Sequence, residues 1–335
     1  MFFSIVIPLY NRPEEIGELL QSLCRQSYRN FEVIIVEDGS TRDAKGVIDS
    51  FREILNVKYY VKTNEGQGFA RNYGFARAEG DYFIVFDSDV LVPEQYLEAV
   101  EAGIAEHQWD AFGGADAAHE SFTATQKAIS YSMTSLFTTG GIRGNKMHVG
   151  QFHPRSFNMG ISRKVWEETG GYRLSRRSED IEFSIRMIQR GFKVGLIPEA
   201  FVYHKRRTDF KQFFRQTYNF GKGRIDIAQI YPQELKPVHL LPSMFTLGVG
   251  LVLILNLLDS IFFPDMLALH GLTVLGNIFL VLYIVLLFLH SLVMTKNLKV
   301  ALLSVVAAFT QLIAYGCGLM RNYLDRVLLH RDTSR

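Results

Sequence analysis

Three apolar runs near the end of the chain constrain it more than any other feature. Leu240–Phe263 and Gly271–Met294 have 24 residues each, and Val300–Met320 has 21. At a rise of about 1.5 Å per residue, each is long enough to cross a hydrocarbon layer of roughly 30 Å. Between residues 240 and 320 only Asp259, Asp265, Lys296 and Lys299 are charged, and 60 of the chain's 70 charged side chains precede residue 240. The net charge of +2 is therefore an average over a water-soluble part and a membrane part. The 26 Phe and 15 Tyr exclude a disordered chain. Two cysteines, Cys24 and Cys317, are too few for a disulfide scaffold and point to a reducing compartment. A net charge this small argues against a nucleic-acid partner.

Lysine and arginine bias sets an expected orientation. Residues 204–224 carry Lys205, Arg206, Arg207, Lys211, Arg215, Lys222 and Arg224 against Asp209 alone. The loop Pro264–His270 has no basic residue other than its histidine, whereas the next loop has Lys296 and Lys299. This predicts a multi-pass protein of the cell membrane with its N-terminal part in the cytoplasm. One observation conflicts. After three crossings, Arg321, Arg326, Arg331 and Arg335 would lie outside, so either the bias fails or the third run is re-entrant. We adopt three spans as the expectation. Phe2–Leu9 lacks a preceding basic region and is too short for a signal peptide; it reads as a buried first strand.

The first 110 residues alternate strand-like and helix-like patterns. Strands are predicted at Ser4–Pro8, Phe31–Val36, Val57–Val61 and Tyr82–Phe86. Helices are predicted at Pro13–Leu23, Ala44–Leu55, Gly66–Ala78 and Pro93–His107. Such alternation predicts an α/β fold with a parallel, doubly wound sheet, whose ligands sit beyond the strands' carboxyl ends. Both Asp38 and the pair Asp87/Asp89 fall at strand carboxyl ends. Asn64-Glu65-Gly66-Gln67-Gly68 is neither a P-loop nor a dinucleotide fingerprint, so an NTPase or hydride-transfer reading lacks its motif.

Asp87-Ser88-Asp89 offers two carboxylates two residues apart, a donor set for Mg²⁺ or Mn²⁺ bound to a diphosphate, or else an ordinary turn before a helix. Asp38 ends a strand and either shapes a turn or accepts a base N–H. Ser178-Glu179-Asp180 opens a helix, with Ser178 as its N-cap and the acids as dipole partners or a general base. His204 is structural, or a metal or phosphate ligand. Gly221-Lys222-Gly223-Arg224 reads as a flexible basic segment able to clamp a diphosphate, or as a membrane-surface element. Residues 115–157, with Thr138-Thr139-Gly140-Gly141, Arg143-Gly144-Asn145-Lys146, His148 and His153, read as acceptor-side segments with a mobile loop.

Taken together, these motifs resemble the family-two inverting glycosyltransferases of the GT-A fold. The resemblance rests on Ser4-Ile5-Val6-Ile7-Pro8-Leu9-Tyr10-Asn11, Glu37-Asp38-Gly39-Ser40, Asn64 to Gly74, Asp87-Ser88-Asp89, Asn158-Met159-Gly160, Gly170-Gly171-Tyr172 and Glu179-Asp180. It covers about residues 2–225 and implies a Rossmann-like, mostly parallel GT-A domain over 1–207, while charge and hydropathy add an interfacial segment over 208–238, transmembrane helices within 239–322 and a tail over 323–335. It also implies roles. Pro8, Tyr10 and Asp38 would hold the base of a nucleotide-sugar donor, UDP-sugar favoured over GDP- or dTDP-sugar. Arg71 would contact the donor. Asp87 would face ribose and metal (Mg²⁺ or Mn²⁺), Asp89 would be the main metal ligand, and His204 would approach the metal or diphosphate. Lys222 and Arg224 would face the diphosphate. Asp180 would be the base, with Glu179 beside it.

The Gln-x-x-Arg-Trp motif of the family's processive synthases is missing: Gln216-Thr217-Tyr218-Asn219-Phe220 stands nearest. Transfer of one or a few sugars is therefore expected. Phe210, Phe213, Phe214, Tyr218 and Phe220 among basic residues predict an interfacial element and a lipid-linked acceptor, for cell-surface glycan synthesis. The acceptor is either a hydroxyl of a lipid-linked saccharide or a polyprenyl monophosphate. The acidic pair favours the hydroxyl, because an ionised phosphate needs little help from a base. A degenerate transferase serving as a membrane scaffold is the non-enzyme alternative, and retention of both carboxylate groups speaks against it.

Overall fold

The computed structural model describes residues 1–117, 119, 121–139, 152–205, 207–262 and 266–331. Of the residues named above, 140–146, His148, Arg206, Phe263, Pro264, Asp265 and Arg335 lie outside this set. In chain order the strands are β1 (Phe3–Leu9), β2 (Phe31–Asp38), β3 (Val57–Lys62), β4 (Tyr82–Phe86), β5 (Val90–Leu91), β6 (Ala111–Ala117), β7 (Asn158–Ser162) and β8 (Val194–His204). The helices are α1 (Pro13–Leu23), α2 (Lys45–Asp49), α3 (Gln67–Phe75), α4 (Tyr96–His107), α5 (Ala124–Thr134), α6 (Leu136–Thr139), α7 (Arg163–Thr169), α8 (Glu179–Gln189), α9 (Phe210–Ile230), α10 (Leu241–Leu257), α11 (Leu267–Thr295) and α12 (Leu298–Tyr323).

The chain divides into two compact units. The first holds residues 1–120 and 144–205, and the second holds 121–143 and 206–335. The first is a Rossmann-like α/β domain around one sheet of order β3-β2-β1-β4-β7-β6-β8-β5. β1, β2, β3 and β4 are mutually parallel, as the alternation predicts. The sheet as a whole is mixed rather than parallel, because β7 runs antiparallel to β4 and β6, and β5 antiparallel to β8. Period-two alternation separates two cores. Ile5, Ile7, Val33 and Ile35 face one side with α1 and α4, whereas Val6, Ile34, Val36 and Val85 face the other with α3 and α8.

One helix is shorter than its periodicity predicts. The expected Ala44–Leu55 helix is α only over α2, and the rest is a string of turns. Ser50 Oγ donates to the Val47 carbonyl, and the Arg52 guanidinium donates to Asp49 and to the Val57 carbonyl. Polar side chains thus compete for groups the helix would use.

The second unit is helical. Three of its helices, over Pro237–Ile261, Leu267–Thr295 and Leu298–Leu328, are long and apolar enough to cross a membrane. Residues 121–139, which the sequence leaves without assigned structure, supply α5 and α6 to this unit. Thr123 opens α5 with a capping box, its hydroxyl accepting from Gln126 N. The segment Gly221-Lys222-Gly223-Arg224 is not flexible. It is the interior of the 21-residue α9, and its glycine serves contact: a Cβ at Gly221 would lie 2.1 Å from the Tyr315 carbonyl oxygen of α12. A Cβ at Gly318 would likewise lie 2.0 Å from the Tyr218 carbonyl oxygen. Backbone-to-backbone approach of this kind needs small residues.

Gly221→Leu or Gly318→Leu is therefore expected to destabilise the helical unit by about 3 kcal/mol or more through overpacking. Gly248→Leu is the comparison, since no atom stands within 4 Å of its Cβ position, and better helix propensity should leave it neutral or slightly stabilised. Thermal unfolding of the three variants in detergent checks the contrast.

Candidate active site

The acidic cluster after β4 is shaped by the two-residue strand that follows it. Val90 and Leu91 pair with His204 and Tyr203 of β8, and Lys205 N donates to the Asp89 carbonyl at 2.9 Å. This pairing brings His204 beside Asp89 from the far end of the domain's sequence. The ligand atoms of Asp87, Asp89 and His204 lie within 4.8 Å of one another, and among the described residues this is the one group of three His, Cys, Asp or Glu that could hold a metal ion. His204 Nε2 is 3.3 Å from Asp89 Oδ1, and Arg12 Nη1 donates to Asp89 Oδ2 at 2.8 Å. Phe157 stacks on the imidazole at 4.7 Å and fixes its plane. Burial alone would raise the Asp89 carboxyl, but His204 and Arg12 outweigh it and hold the group well below the usual carboxylate range. Asp89 is thus kept ionised in a nearly closed site. Two hard carboxylates and one imidazole suit Mg²⁺ or Mn²⁺.

Arg71 is the second element. It projects from α3, is fully buried, and bridges Asp87 Oδ1 at 2.8 Å and Glu179 Oε1 at 2.9 Å. Its guanidinium lies over the Tyr172 ring, 5.3 Å from the centroid. Gln67 Nε2 donates to the same Glu179 oxygen at 2.6 Å. Burial and neighbouring Asp180 push the Glu179 carboxyl up, against the pull of Arg71. Arg71, expected at the donor, is enclosed here and holds Asp87 and Glu179.

Glu179 and Asp180 consequently differ. Glu179 is consumed by Arg71 and Gln67. Asp180 keeps 18% of its side chain exposed, accepts from Ile181 N, and has Arg155 Nη1 at 3.8 Å. Ser178 is not the expected ordinary N-cap. It has φ +60°, and its side chain caps nothing. A left-handed serine is sterically costly, and such strain concentrates at functional sites.

The remaining predicted residues divide. Asp38, at the end of β2, accepts from Glu65 N (3.0 Å), Gly66 N (2.8 Å) and Lys62 Nζ (3.1 Å), so it holds the turn that opens α3. A carboxylate offers about four acceptor positions, which leaves one for a ligand. Pro8 is half-buried on β1, and Tyr10 is 51% exposed just beyond it. Lys222 and Arg224 belong to the second unit, half-buried on α9. His153 hydrogen-bonds Ser184 at 2.8 Å. Sequence reasoning missed Arg12, Gln67, Phe157 and Arg155. No local signal marks them, because each is defined by a partner distant in the chain.

Residues 4–166 match the profile described as Glycosyl transferase family 2. These residues form a glycosyl transferase family 2 domain. The chain is similar to the poly(ribitol-phosphate) beta-N-acetylglucosaminyltransferase TarS of Staphylococcus aureus, 37% identical over 114 residues, which is 33% of this chain and 20% of TarS. It thus spans a fifth of that relative's length. It is 23% identical over 263 residues to a Methanococcus voltae dolichyl N-acetyl-alpha-D-glucosaminyl phosphate 3-beta-D-2,3-diacetamido-2,3-dideoxy-beta-D-glucuronosyltransferase, covering 69% of this chain and 78% of that one. Among solved structures, the Pyrobaculum calidifontis mannosyltransferase PcManGT, in complex with GDP-Man and Mn²⁺, superposes with a TM-score of 0.66 at 15% identity, over 97% of this chain and 87% of that one. That likeness shows the GT-A fold.

Within the first unit, Glu179→Ala should cost about 3–5 kcal/mol, because it strips a buried guanidinium of one of its two carboxylates. Glu179→Gln keeps an acceptor for Arg71 and should cost about half as much or less. Chemical unfolding in detergent separates them.

Proposed function

We propose that the protein is a membrane-bound, inverting, metal-dependent glycosyltransferase. It would move a sugar from a nucleoside-diphosphate sugar to a hydroxyl of a lipid-linked saccharide. The observation that carries the reading is the division of labour at the start of α8, with Glu179 locked to Arg71 and Asp180 left partly open. A bare phosphate acceptor arrives ionised and needs no such carboxylate, whereas a hydroxyl must lose a proton as it attacks. The M. voltae relative supports the class, since its name gives a lipid-linked sugar as acceptor. PcManGT supports a nucleotide-sugar donor.

Asp89, Asp87 and His204 would hold Mg²⁺ or Mn²⁺. When bound, the cation neutralises the negative charge that develops on the diphosphate. Pro8 and Tyr10 would flank the base, with the remaining acceptor position of Asp38 taking a base N–H. Asp180 takes the acceptor's proton as its oxygen bonds to the anomeric carbon. The bond from that carbon to the diphosphate breaks, its electron pair leaves with the nucleoside diphosphate, and the single displacement inverts the centre. Arg71 keeps Asp87 in place throughout.

Asp180→Asn should retain donor binding and lose transfer by about 10²–10⁴-fold. Titration calorimetry with donor and a radiolabelled transfer assay check the two halves, and near-normal transfer would remove Asp180 from the role. Chelation of divalent cations should abolish transfer, with recovery on adding Mn²⁺ or Mg²⁺ to the wild type but not to Asp89→Ala. Assaying a polyprenyl phosphate against a lipid-linked saccharide, with donor in excess, tests the acceptor. Efficient use of the bare phosphate would replace this reading by a polyprenyl-phosphate glycosyltransferase.

A further inference from the structure

α12 differs from the other two apolar helices in what covers it. Half of its most apolar window is buried within the unit, against 6% for the α10 span and 11% for α11. Besides α10 and α11, it is covered by α9 and α5. α9 and α12 run parallel, because between Tyr218 and Gln229 of α9 the partners on α12 advance from residues 315–318 to Arg326. Tyr218 meets Gly318, Gly221 meets Tyr315, Asn322 Nδ2 donates to the Lys222 carbonyl (2.7 Å) and to Asp226 (2.9 Å), and Arg326 pairs with Asp226 (3.0 Å) and Gln229 (3.2 Å). The earlier part of α12 is covered by α5 and the start of α9, with Ala128, Ile129, Met133 and Phe213 packed against Val300 and Ala307.

Neither covering helix belongs in hydrocarbon. α9 carries Lys211, Arg215, Lys222, Arg224 and Asp226, and α5 carries Lys127. A charge at the bilayer centre costs roughly 2.5–3.5 kcal/mol on the insertion scale. Both helices follow directly from the first unit with no apolar span between.

α10 and α11, in contrast, form an antiparallel hairpin. Asn256 and Asn277 exchange two hydrogen bonds, and Asp259 meets His270 at its far end. α12 is pinned to the near end of that hairpin. Ser243 and Thr246, in the first two turns of α10, donate to the carbonyls of Gly316 and Leu312. Phe245 and Tyr283 pack on Phe309, and Ser291 bonds Ser304. A spanning α12 would carry residues past 320 toward the level of Asp259 and His270. Here they bind α9 instead.

We infer that α12 does not cross the membrane. It lies along the cytoplasmic surface beside α9, and the pair is an interaction surface for anionic lipid headgroups. Exposed Leu302, Val306, Leu324 and Leu328 face the acyl boundary, and exposed Lys211, Arg215 and Arg321 supply the complementary charge. The membrane part then has two spans, and residues 324–331 return to the side of the catalytic domain. This places Arg321, Arg326 and Arg331 where the positive-inside bias puts them, and it removes the conflict that three spans create. The inference is independent of the proposed chemistry, which would stand if it failed.

The test is sidedness in sealed membrane vesicles. Single cysteines at Glu53→Cys, Leu267→Cys and Leu329→Cys are introduced into full-length protein carrying Cys24→Ser and Cys317→Ala, then labelled with an impermeant maleimide. Positions 53 and 329 should label from one side and position 267 from the other. Labelling of 329 together with 267, or of all three together, overturns the inference. Spin labels at Val306→Cys and Leu324→Cys give a second measure. A spanning helix separates them in depth by about 27 Å, from 18 residues at about 1.5 Å each. A surface helix leaves both near headgroup depth, and a separation close to the spanning value overturns the inference.

Discussion

The first unit is organised around one buried cation. Arg71 has no route to water, so its charge has to be met inside the protein, and Asp87 and Glu179 meet it. Those two carboxylates belong to separate parts of the chain, the turn after β4 and the first turn of α8. The bridge therefore fixes how the two approach. Asn72, the next residue on α3, extends the link. Its side chain exchanges hydrogen bonds with both the N–H and the carbonyl of Tyr172, as a neighbouring strand would. Tyr172 in turn lies under the Arg71 guanidinium. Behind it, buried Arg186 forms a bidentate pair with Glu182 and donates to the carbonyls of Thr169 and Gly171. Motifs that look separate in the sequence are thus one interlocked assembly.

The same assembly explains the glycines ahead of α3. A Cβ at Gly68 would sit 2.2 Å from the Leu174 carbonyl oxygen, and Gly68 N donates to the Ser175 carbonyl at 2.8 Å. The glycine-rich turn is a docking site for the chain that leads into α8. Its glycines let the backbone around Leu174 and Ser175 approach α3 closely. Asp38 completes it from below by accepting the amides of Glu65 and Gly66. A residue that resemblance assigns to the donor base thus has a structural task of its own.

What was legible in the sequence follows from the range of the interactions. β1, β2 and β4 were readable because burial on both sheet faces leaves unbroken apolar runs, and the acidic clusters were readable as strand ends. The antiparallel β5 was not, because two residues carry no period and the strand exists only through β8. The conformation of Ser178 was invisible for a similar reason. Serine before two acids reads as a cap, and nothing in that pattern marks a left-handed backbone. Arg12 follows an ordinary helix-opening pattern, and its role beside Asp89 is set wholly by a distant partner.

The apolar runs show a different limit. Hydropathy records a residue's preference for leaving water, and it does not say what takes the place of water. α10 and α11 present their Leu, Ile and Val outward along nearly their whole length, so nothing in the described unit covers them. The buried residues of α12 are mostly small or polar, among them Ala301, Ser304, Ala307, Ala308, Gln311 and Asn322, with Val300, Leu312 and Leu319 between them. Small residues raise mean hydropathy only modestly, and here they are selected by close approach of backbones. Asn322, Asp226 and Arg326 form a clasp of charged and polar groups that water and headgroups tolerate easily and hydrocarbon does not. A run of that composition satisfies a length-and-apolarity criterion for spanning while being built to pack on protein. The distinction lies in the spacing of its glycines and alanines and in the charges of the helix it meets.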